Sequence, residues 1–324
     1  MKSALLFIYV LLLAACSNVP NCKLADGLKP FPKCQRTPPE HVWNASGGVE
    51  LPYTMAQPPG KPKAIVLIFP GWDSVTGDYA SLTRVLVQHG YAVYGSENRS
   101  FIYGPAKLQS NAKDWHPWVE DVKAFAKFVK AKHPGVPVFW HGQSFGAVEV
   151  LAATAEAKGA DSPAGIIVHS PAYAMMPKSR SFFRSLTYGS IAWVTIPHLK
   201  LMELNHFGLT TDSNWNCQWL QSDDRLRKGY KVRFLITSTD MGISARSASN
   251  SLTLPVLAMW GGADRLTLNG IESQRKDYDH YMRCELANGS AKQYYAPAGG
   301  HLLTEGNSKE AAIHAIIHWL DSQR

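Results

Sequence analysis

The sequence lacks several patterns that mark other classes of protein. Its five cysteines include no Cys-x-x-Cys pair and no zinc-type spacing, which argues against a structural zinc site. No internal repeat occurs, so a solenoid of stacked repeats is not expected. The net charge of +8 comes from basic residues that form no long run. The cluster at 225–233 is interrupted and follows two aspartates, which predicts a solvated face and not a nucleic-acid surface.

The first apolar run is also too short to cross a bilayer. It spans residues 4–15 behind a positively charged start, as in a secretory signal peptide. The run ends in Leu13-Ala14-Ala15-Cys16, which resembles a bacterial lipobox; the alternative is an ordinary cleavage site beside a chance cysteine. We therefore predict a signal peptide over 1–15 and an anchor of acyl chains such as palmitate on Cys16 in the bacterial cell envelope. Ser17 in place of an aspartate favours the outer over the inner membrane.

The next stretch, 16–47, is rich in proline, lysine and polar residues, which predicts a lipid-anchored linker before a domain over 48–324. Four cysteines remain besides the predicted lipidation site. In an oxidising compartment they permit two disulfides, in any of three connectivities. The pairing Cys22–Cys34 with Cys217–Cys284 is preferred.

Short apolar runs alternate with helical patterns in the predicted domain. Continuous runs suit strands buried on both faces, and their alternation with helices predicts a mostly parallel α/β sheet flanked by helices. Helical spacing occurs over 115–129 and 313–320. The aromatic-rich stretch 173–250 interrupts this alternation and predicts an inserted helical cap. Strands are predicted at Ala64–Phe69, Ala92–Tyr94, Val136–Trp140, Gly165–Val168 and Val256–Trp260, with an edge strand at Lys292–Tyr295.

The sharpest chemical signal is Gly142-Gln143-Ser144-Phe145-Gly146, between an apolar strand and a helical stretch. Such a G-x-S-x-G turn forces the serine into a strained conformation above the sheet, and its small flanking residues let the strand and helix approach. The bare motif also occurs by chance, but its context predicts Ser144 as a nucleophile.

A nucleophilic serine needs a base, and the base needs an orienting acid, in the order serine, acid, histidine in this kind of sheet. Asp264 follows an apolar run, and His301 follows two glycines before the last helical pattern. The alternatives are an aspartate that caps a helix and a histidine in a solvent loop. His314 and His318 are four residues apart but lack further ligands, so no metal site is predicted. The amide groups of Phe145 and Trp72 are the predicted oxyanion-hole donors.

These pieces resemble the monoacylglycerol lipase and lysophospholipase group of α/β hydrolases, in the serine-aminopeptidase-like lineage. The resemblance covers roughly 50–324 and includes, besides the motifs above, Phe69-Pro-Gly-Trp-Asp-Ser74, Trp118-Val-Glu-Asp-Val122, His133–Phe139 and His169-Ser-Pro-Ala172. It implies the α/β-hydrolase fold with Ser144, Asp264 and His301 as the triad. Three places depart from the group: Pro70-Gly71 replaces His-Gly, Gln143 replaces the histidine before the serine, and Ser96-Glu-Asn-Arg-Ser100 replaces Asp-x-Arg-Gly.

The expected activity is cofactor-free hydrolysis of a carboxylic ester through an acyl-enzyme. The resemblance implies a lysophospholipase or monoacylglycerol lipase whose helical cap holds the acyl chain of a small amphiphilic ester. One alternative is an esterase, thioesterase or peptidase for non-lipid substrates; another is a non-catalytic envelope lipoprotein that binds through the same fold. No nucleic acid and no obligate protein partner is expected, and the membrane is reached through Cys16.

Overall fold

Eight strands form one sheet in this computed structural model, which describes residues 38–72, 74–172, 200–202, 230–249, 251–264 and 291–323. Two further strands, β7 and β8, pair with each other in a separate small sheet. In chain order the strands are β1 His41–Ala45, β2 Val49–Ala56, β3 Ile65–Phe69, β4 Ala92–Ser96, β5 Val138–Gln143, β6 Gly165–His169, β7 Lys200–Met202, β8 Tyr230–Lys231, β9 Val256–Gly261 and β10 Lys292–Ala296.

The main sheet has the order β1-β2-β4-β3-β5-β6-β9-β10. Strand β2 runs antiparallel to both of its neighbours, whereas each pairing from β4 to β10 is parallel. Strands β3 to β6 are buried along their whole length, as continuous apolar runs require. The prediction of a mostly parallel sheet is confirmed, and so is the edge position of the strand that precedes His301.

Helices cover both faces of this sheet. Alternate residues of β3 face opposite sides: Leu67 joins the core under α2, α3 and α4, while Val66 and Ile68 join the core under α1 and α5. The helices are α1 Ala80–Gln88, α2 His116–Lys132, α3 Phe145–Glu156, α4 Val232–Ser249 and α5 Lys309–Ser322, with short 3₁₀ turns at Ser46–Gly48, Thr76–Tyr79, Gly159–Asp161 and Gly306–Ser308. Helices α2 and α5 confirm the two helical patterns in the sequence.

The first hairpin of the sheet was not expected from the sequence. Strand β1 lies inside 16–47, the stretch predicted to be a linker, so the sheet begins before residue 48. Its burial alternates, with Trp43 buried and Val42 exposed, because one face of an outer strand meets solvent. Helix α1 also lacked a sequence prediction. Arg233 is buried, which corrects its assignment to a solvated face.

Most of the predicted cap at 173–250 lies outside the described residues. Within that range the structure describes β7, β8 and α4, and α4 packs along α3 before the chain enters β9. The predicted signal peptide, the lipidation site Cys16 and both predicted cysteine pairs also lie outside the described part. No helix within the described ranges is both long and apolar enough to span a bilayer.

Candidate active site

The predicted site residues follow the carboxyl ends of four parallel strands. Ser144 comes directly after β5, Asp264 follows β9 and His301 follows β10, while Trp72 lies in the loop after β3. Parallel strands place their carboxyl ends at the same edge of a sheet, where such folds gather their functional groups. The topology therefore brings residues from both halves of the chain to one edge.

The turn at Ser144 has the strained backbone that its motif predicts. Ser144 has φ 55° and ψ −113°, a conformation that typically costs a non-glycine residue about 1–3 kcal/mol. A Cβ on Gly146 would lie 2.0 Å from the carbonyl oxygen of Phe69, and one on Gly142 would lie 2.3 Å from that of Gly146. The backbone segments on either side of the serine therefore approach so closely that both positions require glycine. This close approach fixes the turn that presents the serine.

His301 and Asp264 form a buried pair. The ring Nδ1 of His301 lies 2.8 Å from Oδ2 of Asp264, and the two residues are only 1% and 2% exposed. His301 is therefore not a solvent-loop histidine. With Nδ1–H donating to the carboxylate, Nε2 keeps its lone pair; among the described residues it is buried without a hydrogen-bond partner. The imidazole can therefore accept a proton at Nε2.

The loop after β3 packs directly on the serine turn. A Cβ on Gly71 would lie 3.0 Å from Cβ of Ser144, and the ring of Trp72 stacks on that of Phe145 with centroids 6.0 Å apart. Phe145 is the first residue of α3, where backbone N–H groups have no partner inside the helix and carry partial positive charge. Within the described chain neither the Trp72 nor the Phe145 amide donates a hydrogen bond. The two predicted oxyanion donors are therefore available beside Ser144.

Tyr79 and Gln143 fix this loop, a role that the sequence motifs did not reveal. The hydroxyl of Tyr79 donates to Oε1 of Gln143 at 3.0 Å and accepts from the Gly71 amide at 3.3 Å. Burial raises the pKa of Tyr79 well above its ordinary value, so the hydroxyl stays protonated and able to donate. The Gly71 amide is thereby occupied, which leaves the next amide, that of Trp72, for an oxyanion.

The stretch that replaces Asp-x-Arg-Gly serves the scaffold. The carboxylate of Glu97 accepts from both the amide and the hydroxyl of Thr76, at 2.9 and 2.6 Å. Arg99 binds Asp121 of α2 through Nε and Nη2, and Nη2 also donates to the carbonyl oxygen of Ser46. These contacts join β4, the turn before α1 and the first hairpin. The residues of this stretch therefore hold the scaffold together and are not part of the predicted triad.

Aromatic side chains surround the residue after the serine. Phe145 lies 5.0 Å from Trp118 and 5.4 Å from Phe101 between ring centroids, while Tyr230 stacks on Trp72 at 4.7 Å. The wall behind the serine turn is therefore apolar.

Metal-ligating groups do not cluster in the described ranges. No group of three or more His, Cys, Asp or Glu side chains able to hold a metal ion occurs there. His314 and His318 are both exposed on α5.

Comparisons with known proteins agree with this geometry. A family model described as "Serine aminopeptidase, S33" matches residues 60–294. Human monoglyceride lipase is 28% identical over 289 residues, which cover 88% of this chain and 90% of the human protein. The structure of a monoacylglycerol lipase from Paleococcus ferrophilus superimposes with a TM-score of 0.68 at 20% identity, covering 85% of this chain and 99% of the other. A carboxyl esterase from Bacillus coagulans gives 0.71 at 15% identity, with 87% and 97% covered.

Proposed function

The chain belongs to the serine aminopeptidase S33 family and is a serine ester hydrolase of the α/β-hydrolase fold, and from this premise we propose that it cleaves single-chain lipid esters, with monoacylglycerol as its preferred substrate. The hydrogen-bonded pair of His301 and Asp264, at the sheet edge that also carries Ser144, is the observation on which the proposal rests. The other strong candidate within this substrate class is a lysophospholipid.

The proposed reaction uses an acyl-enzyme. His301 takes the hydroxyl proton of Ser144 at Nε2 while Oγ attacks the ester carbonyl, and Asp264 stabilises the resulting imidazolium. The amides of Trp72 and Phe145 bind the tetrahedral oxyanion, where loss of one such donor typically costs about 10²–10³ in rate. The imidazolium then protonates the leaving alcohol as the C–O bond breaks. In the second half, His301 takes a proton from water, whose oxygen attacks the acyl carbon. The bond between that carbon and Oγ of Ser144 then breaks, the imidazolium returns its proton to Oγ, and the free carboxylic acid leaves.

Two observations support a lipid acyl group as the substrate. The wall of aromatic side chains around Phe145 and Trp72 is suited to methylene groups and offers no charged partner for an ionic acyl group. The human relative that covers nearly all of the chain is a monoglyceride lipase. The alternative function is that of an esterase for non-lipid esters, and a structure named as a carboxyl esterase, that from Bacillus coagulans, shares the fold.

A chain-length series distinguishes these two substrate classes. We expect the soluble form that begins after Cys16 to release fatty acid from monoacylglycerols, with kcat/KM rising at least about tenfold from butyryl to palmitoyl esters. The reason is that each buried methylene contributes about 0.8 kcal/mol, so about two additional buried methylenes already account for a tenfold rise. The same protein inactivated by a fluorophosphonate is the control. Cleavage confined to butyryl esters and nitrophenyl acetate would reject the lipid substrate. Equal rates of hydrolysis of lysophosphatidylcholine and monoacylglycerol would show that the head group does not determine specificity.

We also propose that Cys16 carries acyl chains that hold the enzyme on the outer membrane of a bacterial envelope. The order Leu13-Ala14-Ala15-Cys16 behind an apolar run supports this. In cells fed labelled palmitate, the full chain is expected to become labelled and to fractionate with outer membranes. Cys16→Ser should lose the label and leave the membrane while its hydrolase activity per molecule stays unchanged. Equal labelling of the two proteins would contradict the proposal. Labelled protein in the inner-membrane fraction would contradict the outer-membrane location alone.

A further inference from the structure

We infer that His169 is a positioning residue that joins the serine turn to the loop carrying the base, through its carbonyl oxygen and its ring Nε2. The inference rests on the proposed function only in requiring hydrolysis through Ser144, whatever the ester. His169 belongs to none of the predicted catalytic groups, and it is completely buried as the last residue of β6.

His169 contacts both sides of the predicted catalytic machinery. Its carbonyl oxygen accepts a hydrogen bond from the amide of Ser144 at 2.8 Å, so it fixes the backbone of the nucleophile itself. Its ring Nε2 accepts from the amide of Leu303 at 3.0 Å, two residues beyond His301. A single residue therefore joins two loops that lie far apart in the chain.

The loop that carries Asp264 is connected to the end of β6 through Ser170, the residue after His169. Strand β6 lies between β5 and β9 in the sheet, and the amide of Ser170 donates to the carbonyl oxygen of Met259 in β9 at 2.9 Å. Ser170 also has a positive φ of 44°, so the chain turns sharply as it leaves the sheet. Asp264 lies three residues beyond the end of β9. The end of β6 therefore lies between the strands that carry the serine and the acid.

The ring contact requires one protonation state. Nε2 can accept from the Leu303 amide only if it holds a lone pair, so the imidazole must be neutral with its proton on Nδ1. Burial lowers the pKa of His169 well below its ordinary value, and the nearby rings of His141 on β5 and His301 lower it further, while a contact with the His301 backbone opposes them in part. Nδ1 has no hydrogen-bond partner among the described residues. The hydrogen bond that orients this ring is thus the one from the Leu303 amide, in the loop that carries His301.

Loss of that acceptor should displace the base. The Leu303 amide would become a buried donor without a partner, which a loop relieves by shifting its backbone. Because His301 lies two residues away, its Nε2 would move relative to Ser144. A misplacement of about 1 Å can cost about 10²-fold in rate. Substrate affinity depends on other contacts, so kcat should fall while KM stays nearly constant.

The test compares two nearly isosteric replacements in the otherwise unchanged chain. Gln places an oxygen acceptor close to the position of Nε2, and Met does not. On nitrophenyl butyrate we expect His169→Met to lower kcat by about 30–100-fold with KM within about twofold, and His169→Gln to stay within about fivefold of wild type. His169→Asn carries its acceptor nearer to the Nδ1 position, so it should behave like the Met variant. If the Met variant does not fold, the comparison of Gln with Asn decides.

His141 provides the matched control. It is equally buried, its ring centroid lies 6.2 Å from that of His169, and neither ring nitrogen has a hydrogen-bond partner within the described chain. His141→Met should therefore retain the wild-type kcat. Equal losses in the Gln and Met variants, or a loss in His141→Met as large as in His169→Met, would overturn the inference. Wild-type protein that reacts with a fluorophosphonate but cleaves no lipid ester would refute the proposed substrate alone, since the labelling rates of the variants still test His169.

Discussion

Ser144→Ala is expected to lower kcat for ester hydrolysis by about 10⁴–10⁶, among the largest effects of any single substitution in this chain. The alanine has no oxygen to attack the carbonyl, so only the oxyanion donors and substrate binding can still accelerate the reaction. The fold should survive. The hydrogen bonds of this residue to His169 and Ala172 use backbone atoms, and alanine keeps the Cβ that the serine already carries in this conformation. Steady-state rates together with thermal melting separate the two effects.

Ser110→Ala is a matched control for that experiment. Ser110 has a similar positive φ of 50°, is half-buried and lies in the loop between β4 and α2, which carries none of the predicted triad. The same substitution there should leave kcat within about twofold of wild type, as for most surface-type changes. Appreciable turnover by Ser144→Ala, or an equal loss in Ser110→Ala, would reject Ser144 as the nucleophile.

Asp264→Asn is expected to lower kcat by about 10⁴ with little change in KM. A carboxylate can only accept from the Nδ1–H of His301, which keeps the lone pair on Nε2. A carboxamide can instead donate to Nδ1, and the proton then moves to Nε2, where it blocks transfer from Ser144. The neutral amide also cannot stabilise the imidazolium. Rates should be measured with a protein whose folded fraction is known from near-ultraviolet circular dichroism.

Asp121→Asn distinguishes this effect from the general cost of altering a buried carboxylate. Asp121 binds Arg99 and Ser46 from helix α2, outside the loops that carry the predicted triad, and its side chain is also largely buried. Breaking a buried ion pair destabilises a protein by about 3–5 kcal/mol, so we expect a lower melting temperature with nearly wild-type kcat in the folded fraction. A loss of kcat as large as that of Asp264→Asn would remove the case for a specific role of Asp264.

Much of the sheet could be predicted because its central strands are continuous apolar runs. Residues such as Ile65–Phe69 are buried on both faces, and such a run has few other uses in a soluble domain. The first hairpin gave no such signal. In β1 and β2 only alternate residues are buried, and Pro52 within β2 weakens the strand pattern further. Strands with one face toward solvent are defined by their neighbours in the sheet, which a local pattern does not contain.

The residues of the site also fall into those that a local sequence pattern indicates and those that it does not. Ser144, Asp264 and His301 each lie in a short local pattern, so they could be predicted one by one. Tyr79 and His169 act through contacts across 64 and 134 residues, and no local pattern carries that information. The one signal for His169 is that it opens His169-Ser-Pro-Ala172, a segment that carries part of the family resemblance. The role of Gln143, which departs from the family pattern, is likewise defined by its contact with Tyr79, 64 residues away in the chain.

The position of β10 at the edge of the sheet has a consequence for folding. The serine turn is complete once β3, β5 and β6 have associated, but the proposed base follows the last of the described strands, which pairs only with β9 among them. Domains fold largely as they emerge during synthesis, with earlier segments first. A nascent or partly folded chain would therefore hold the proposed nucleophile without its proposed base. On the proposed mechanism, hydrolysis begins only when β10 has docked against β9.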